Sequence, residues 1–280
     1  MRYVEAVILD WAGTTVDYGC FAPVGAFMKV FEARGVPVRL EEARAPMGLQ
    51  KRDHIGAMAG MERIREEWRR VHGREPLEGE LDAMYEDFRR HLLAVLTEYA
   101  APIPGAVDTV AALRAEGLRI GSTTGYTAEM MNVLVPEARD RGYAPDVVIT
   151  PDDVPAGRPW PWMCYVNAMR LGVFPLERLV KVGDTLADVQ EGRNAGMWSV
   201  AVVEGSSELG LSLDEVASMP SAELAARSEK VRASFESAGA HLVLPNIALL
   251  PEAVEAVDLL LAKGGLPQAT GTIPLFGGRK

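Results

Sequence analysis

Cysteine is nearly absent: Cys20 and Cys164 are the two in 280 residues. That excludes a disulfide-stapled fold and fits a reducing compartment, so the cytoplasm is the expected location. No uninterrupted apolar run reaches the roughly 20 residues needed to cross a bilayer. The start, Met1-Arg2-Tyr3-Val4-Glu5, leads into no long apolar region and no small-residue cleavage site, so neither a membrane segment nor an export signal is expected. Positive charge is in deficit. A formal net charge of −10 works against binding nucleic acid, while leaving room for a local basic pocket that holds one small phosphate. No pattern repeats at a fixed period, which excludes a solenoid. Apolar residues at 48% and charged residues at 24% are the balance of a chain with a packed interior. Its length exceeds the usual single core, so one large domain or a domain carrying a smaller insertion is expected.

Ala6-Val7-Ile8-Leu9 is an apolar run that ends at Asp10 and empties into a loop with Gly13, Thr14 and Thr15, as a buried parallel strand does. Similar runs lie at Leu118 to Ser122, Val147 to Thr150, Leu179 to Val182, Val200 to Val203 and His241 to Leu244, interleaved with helix-like segments such as Ala106 to Arg114 and Pro251 to Lys263. This alternation predicts a doubly wound α/β parallel sheet. Between about Phe21 and Tyr99 strand-like runs vanish, and amphipathic stretches such as Met61 to His72 and Leu81 to Leu96 take over. The exits of this stretch are rich in turn residues, Asp17-Tyr18-Gly19 and Ala101 to Gly105. The organisation expected is a catalytic core of residues 1–20 and 100–263, an inserted helical cap domain at 21–99, and an irregular tail at 264–280. A second helical stretch, Leu213 to Ala238 interrupted at Pro220, carries no recognisable chemistry.

In an open α/β sheet the site lies outside the carboxyl ends of the strands. Asp10-Trp11-Ala12-Gly13-Thr14, Ser122-Thr123-Thr124-Gly125-Tyr126, Gly157-Arg158-Pro159 and Gly183-Asp184-Thr185-Leu186-Ala187-Asp188 are the candidates there. Together they supply the parts of a phosphoryl-transfer site: an in-line nucleophile, a hard cation and fixed donors for the remaining charge. Asp10 can attack phosphorus and form an aspartyl-phosphate. Asp10 and Asp184 offer oxygens suited to Mg²⁺. Asp188, four residues after Asp184, is expected on the same side of one helical turn, where it would steady the metal shell. Thr124 and Arg158 supply a hydroxyl and a fixed cation. Set against this, Asp184 and Asp188 also suit a helix cap and a solvated first turn, and Lys51 beside Arg52 and Asp53 reads on spacing alone as a solvated face. Trp160 and Trp162 are expected to pack the Arg158 loop.

At these residues the chain resembles the haloacid dehalogenase superfamily, whose four motifs are present in order, with the helical insertion placed just after the first. One position departs from the superfamily's phosphatases. They carry a second Asp two residues after the nucleophile as general acid and base; here Ala12 stands there. Loss of such a group commonly costs roughly 10² to 10⁴ in rate.

The phosphonoacetaldehyde hydrolase branch has that substitution, and the segment Ala45-Pro46-Met47-Gly48-Leu49-Gln50-Lys51-Arg52-Asp53-His54-Ile55 is similar to its cap segment. Gly121 to Thr127 and Ala156 to Pro159 are similar to its versions of the later motifs. The resemblance, which runs from about Val4 to Pro245, implies hydrolysis of phosphonoacetaldehyde to acetaldehyde and phosphate in 2-aminoethylphosphonate degradation. It implies Lys51 as the imine-forming residue, with Met47, His54, Cys20 and Tyr126 beside it and Gly48 allowing close approach. It implies Mg²⁺ held by Asp10, the Ala12 backbone carbonyl and Asp184, with Asp188 behind them, and a homodimer formed through the cap, possible at the helix after Ala22. The chemistry is coherent. A carbanion is a poor leaving group that no acid on oxygen can rescue, whereas an iminium on Lys51 lets the carbon leave as an enamine. His54, three residues on, would share the lysine's helix face and relay protons. The alternatives are a phosphate-monoester phosphatase or phosphomutase of the same superfamily, which Ala12 and Lys51 disfavour, and a silent relative that only binds a phospholigand, which the intact motif set disfavours.

Overall fold

Four of the six strands are buried along their whole length, as in a parallel sheet flanked by helices. The computed structural model describes residues 2–273. Strands β1 (Ala6–Leu9), β2 (Arg119–Thr123), β3 (Val147–Ile149), β4 (Leu179–Gly183), β5 (Trp198–Val202) and β6 (Leu242–Leu244) form one sheet in the order β3-β2-β1-β4-β5-β6. All neighbouring pairs are parallel. Side chains alternate along β1: Val7 and Leu9 join one apolar cluster, and Ala6 and Ile8 the other. The strand ends differ from the sequence reading by a residue or two, the usual uncertainty at element ends.

The helices in chain order are α1 (Phe21–Glu32), α2 (Leu40–Arg44), α3 (Lys51–Gly60), α4 (Glu62–His72), α5 (Glu78–Val95), α6 (Ala106–Ala115), α7 (Ala128–Asp140), α8 (Trp162–Leu171), α9 (Leu186–Ala195), α10 (Leu213–Ser218), α11 (Ser221–Ser237) and α12 (Leu250–Ala262). Of those that touch the sheet, α8 lies against β2 and β3 and α9 against β4 and β5, while α6 packs on β2 and α12 on β6. From α1 to α5 the chain is helical and packs on itself: Phe27 stacks on Phe88 at 4.3 Å, and Trp68, Met84 and Leu92 are buried. The two segments that lead in and out of this stretch lie side by side. Val16 bridges to Pro102, and the Ile103 amide donates to the Thr15 carbonyl at 2.8 Å.

At the entry, Asp17 and Cys20 adopt left-handed backbone conformations with φ of 53° and 55°, uncommon for residues with a β-carbon. The Asp17 carboxylate offsets that strain by accepting from the Phe21 and Ala22 amides at 3.0 and 3.1 Å, thereby capping α1. At the other end of the chain, residues 264–273 are irregular but pinned. The Ile273 amide donates to the His241 carbonyl at 2.6 Å, and Arg193 donates to the Pro267 carbonyl at 3.0 Å. The rest of the expected tail, 274–280, lies outside the described residues. One packing expectation fails: Trp160 and Trp162 are 57% and 39% exposed rather than packed under the Arg158 loop, because Gln50 from the α2–α3 loop covers Gly157 instead.

The register places the site. Leu9 stands opposite both Ser122 and Val182, so the carboxyl ends of β1, β2 and β4 finish level. Asp10, Thr124 and Asp184 follow within two residues, where the strand order reverses.

Candidate active site

A small cavity of about 20 Å³ opens at that level. The α/β elements line it with Asp10, Ala12, Thr124, Gly125, Tyr126, Arg158 and Thr185, and the helical stretch with its entry contributes Cys20, Met47, Gly48 and Lys51. The Asp10 carboxylate receives the Arg158 guanidinium at 2.5 Å. Burial raises the Asp10 pKa, and Arg158 opposes that rise. Thr124 points its hydroxyl back to accept from the Tyr126 amide at 3.1 Å, which fixes the loop that carries both.

Asp10, Asp184 and Asp188 bring carboxylate oxygens within 4.8 Å of one another, all buried. Burial, then the charges of Asp10 and Asp188, push the Asp184 pKa far up, a sign that the cluster is short of positive charge. A hard divalent cation suits such a set, and the donors therefore fit Mg²⁺. Gly13 makes room: with φ +91°, a β-carbon there would stand 2.2 Å from the Asp184 carboxylate. Asp184 is further held by the Ser207 amide at 2.8 Å and the Thr14 hydroxyl at 3.2 Å. Asp188 arrives by a route the spacing did not foresee. Asp184 precedes the helix, Thr185 is the N-cap of α9, and Asp188 sits in its first turn. The Thr185 hydroxyl accepts from the Asp188 amide at 3.1 Å and donates to the Asp188 carboxylate at 2.5 Å. Capping, rather than a shared helix face, brings the two carboxylates together.

Lys51 is the first residue of α3 and is 6% exposed, so the solvated-face reading fails. Its amine lies 5.1 Å from the centre of the Tyr126 ring. It also lies beside Gly125, 3.6 Å from where a β-carbon there would stand, an ordinary contact distance. Burial lowers the Lys51 pKa; Arg158 works in the same direction, and the Asp10 and Asp184 carboxylates oppose it. The neighbouring Cys20 thiol, whose own pKa burial pushes well up, stays protonated and brings no negative charge to offset this. Tyr126 is likewise held neutral by burial, with its hydroxyl unpaired among the described residues. Gly48, at φ +92°, lets the loop before α3 rest on α9: a β-carbon there would meet the Thr185 hydroxyl at 2.6 Å.

His54 is not among the residues lining the cavity. It stacks on Phe27 at 3.8 Å, and its Nε2 is tied to the Ala43 carbonyl at 2.9 Å. Burial and the nearby Lys51 lower its pKa to about 3. Unfolded, the imidazole titrates near 6.5. Below that value the unfolded chain binds a proton that the native state refuses, so stability is full above pH 6.5 and falls as pH drops toward 3. The contribution of this one group approaches about 1.4 kcal/mol per pH unit. The expected result is that His54→Gln flattens the acid limb of a plot of unfolding free energy against pH. Parallel plots for the two proteins would refute the assignment.

Arg44, Lys181 and Glu191 escaped the sequence reading. Arg44 donates from α2 to the Gly19 carbonyl at 2.7 Å and the Ser207 carbonyl at 3.1 Å, tying α2 to the loop whose Ser207 amide holds Asp184. Lys181 and Glu191 are fully buried beside Arg158 and Asp188. A lysine within β4 and a glutamate within α9 gave no motif signal; the run Leu179 to Val182, apolar except for Lys181, was the available hint.

A model of the haloacid dehalogenase-like hydrolases matches residues 4–196, more than half of the chain, and the chain belongs to that family. Among its members the chain is 55% identical over 255 residues to the phosphonoacetaldehyde hydrolase of Bacillus cytotoxicus, an alignment that covers 91% of this chain and 97% of the relative. It is equally similar to the phosphonoacetaldehyde hydrolase of Bacillus cereus strain B4264. The crystal structure of a phosphonoacetaldehyde hydrolase-like protein from Oleispira antarctica superposes with a TM-score of 0.92 at 36% identity, over 94% of this chain and 96% of that one. The described residues include no helix long and apolar enough to cross a membrane, and both cysteines are buried and unpaired.

Proposed function

We propose that the protein hydrolyses phosphonoacetaldehyde to acetaldehyde and phosphate, as a step of 2-aminoethylphosphonate degradation in the cytoplasm. The observation that carries this reading is a buried lysine amine, Lys51, sharing one small cavity with the Asp10 carboxylate while position 12 holds an alanine with no acid to offer an alkoxide. The names of the 55% identical relatives support the same substrate.

Lys51, reacting as the free amine that its lowered pKa favours, condenses with the aldehyde and releases water, forming a protonated imine adjacent to the carbon that bears phosphorus. The Asp10 carboxylate attacks phosphorus as the carbon–phosphorus bond breaks, and the electron pair passes into the imine to give an enamine. Protonation at carbon and hydrolysis of the imine release acetaldehyde and free Lys51. Water then cleaves the aspartyl-phosphate. Arg158 and Thr124 bind the phosphoryl oxygens, while Cys20, Met47 and Tyr126 close the cavity around the imine and exclude water. Mg²⁺ would be held by Asp10, the Ala12 carbonyl and Asp184 with Asp188 behind them, and would supply positive charge to the phosphoryl oxygens.

In this reading residues 1–20 and 100–263 are the catalytic core, and 21–99 form a cap that carries Lys51 to it. The assembly proposed is a homodimer. The apolar residues of α1 are largely spent inside the chain, leaving Gly25, Met28 and Lys29 toward its outer side, so a contact through α1 would be small. The test of the reaction is direct: with Mg²⁺, equal amounts of acetaldehyde and phosphate are expected from phosphonoacetaldehyde. Inertness toward it, together with hydrolysis of a phosphate monoester, would instead favour a phosphatase.

A further inference from the structure

Arg158 is gripped at two edges. Its Nη2 reaches the Asp10 carboxylate at 2.5 Å, the Thr123 hydroxyl at 2.8 Å and the Asp188 carboxylate at 3.1 Å. At the other edge its Nε donates to Glu191 Oε2 at 3.1 Å. The same Glu191 oxygen accepts from the Thr123 hydroxyl at 3.2 Å and lies 3.5 Å from the Lys181 amine. Glu191 is fully buried, its second oxygen has no partner among the described residues, and it lines no part of the cavity. A buried carboxylate costs several kcal/mol to desolvate, and an apolar side chain of similar size would pack a helix against a sheet at least as well. Its place therefore calls for an explanation other than packing.

The reaction supplies one, and the inference rests on the reading given under the proposed function. The anchor between Arg158 and Asp10 is consumed in the catalytic cycle, because the Asp10 carboxylate becomes an acyl phosphate and loses its charge. With that anchor gone the Nη2 end keeps only Thr123 and Asp188, and a guanidinium held at one end alone is free to swing when the phosphoryl group most needs a fixed donor. We propose that Glu191 is the permanent positioning residue of Arg158: its carboxylate fixes the Nε edge so that the guanidinium stays aimed at the phosphoryl group after Asp10 is esterified. Lys181, whose amine sits 2.5 Å from Asp188 Oδ1, supplies the counter-charge that lets two more carboxylates stand beside one arginine. The arrangement is specific to arginine, since a lysine at position 158 has no Nε–H edge for Glu191 to hold.

The test is a double-mutant cycle on phosphonoacetaldehyde hydrolysis in the full-length protein, with thermal melting to verify folding. Glu191→Gln is nearly isosteric and removes only the charge. It is expected to lower kcat by ten- to a hundredfold while moving KM less than threefold, because the loss falls on the step in which Asp10 no longer helps. In an Arg158→Lys background the same substitution is expected to change kcat less than threefold. Should Glu191→Gln fail to fold, Glu191→Asp keeps the charge but withdraws it by one methylene. It should give the same split in kcat and KM at smaller size, again only when Arg158 is present. Near wild-type kcat in Glu191→Gln, or an equal loss in both backgrounds, overturns the proposal. An inactive wild type overturns instead the functional reading on which it rests.

Discussion

Lys51→Arg should reduce acetaldehyde release from phosphonoacetaldehyde by at least about 10⁴-fold, or roughly 5.5 kcal/mol of barrier. The guanidinium matches the reach of the lysine side chain but cannot lose a proton at working pH, so it cannot condense with an aldehyde. Without the imine, carbon must leave phosphorus as a carbanion. Neither Cys20 nor Tyr126, the protonated groups in the cavity, can accept that electron pair. The native amine is prepared for the opposite outcome, because burial, the largest influence on it, lowers its pKa against the opposing carboxylates of Asp10 and Asp184. Borohydride added with substrate should inactivate the wild type and attach the two-carbon unit at Lys51, as read by peptide mass, and should leave the variant unlabelled. Full activity in a folded Lys51→Arg protein would remove the imine from the mechanism and leave only the family's phosphoryl chemistry.

Asp10→Asn should be equally inactive for a different reason, and its stability should move against its activity. The amide is no nucleophile toward phosphorus, so phosphate release should fall by about 10⁴-fold or more. Yet Asp10, Asp184 and Asp188 crowd three carboxylates within 4.8 Å, and the charge on Asp10 is one cause of the raised Asp184 pKa. Removing it relieves repulsion between like charges, while Arg158 keeps Asp188 and Glu191 as partners. In buffer free of divalent ions the variant is therefore expected to melt no lower than the wild type. Added Mg²⁺ should raise the wild-type midpoint by mass action and raise that of the variant much less. A variant that melts far lower without Mg²⁺ would mean that the pair between Arg158 and Asp10 outweighs the carboxylate repulsion. An unchanged Mg²⁺ response would take Asp10 out of the metal site.

The sheet was legible because burial on both faces leaves a plain mark, a short apolar run bounded by polar residues, and a charged residue at its carboxyl end marks the site's edge. Asp10 and Asp184 could be found that way, while Arg158 was found in the loop between β3 and α8. Lys51 could not: at the start of α3 its flanks Arg52 and Asp53 look like a solvated face, and only a resemblance to known cap segments and the alanine at position 12 singled it out. His54 illustrates the converse. Helical spacing correctly put it near Lys51, but its ring turned out to face Phe27 and the Ala43 carbonyl, a choice made by packing partners 27 and 11 residues away.

The sequence by itself determined the order of strands and helices, the helical stretch between β1 and α6, three motifs at the strand ends and the Arg158 loop, since each depends on residues close together in the chain. The tertiary structure decided the rest. The Lys51 amine becomes a weaker base because folding buries it, with Arg158 nearby. Asp188 approaches Asp184 through the Thr185 cap. Arg158 is held by Glu191, which lies 33 residues away in sequence. Burial, and the pairing of charges inside it, are properties of the assembled interior, where the cost of removing a charge from water must be met by whichever partners the fold brings alongside.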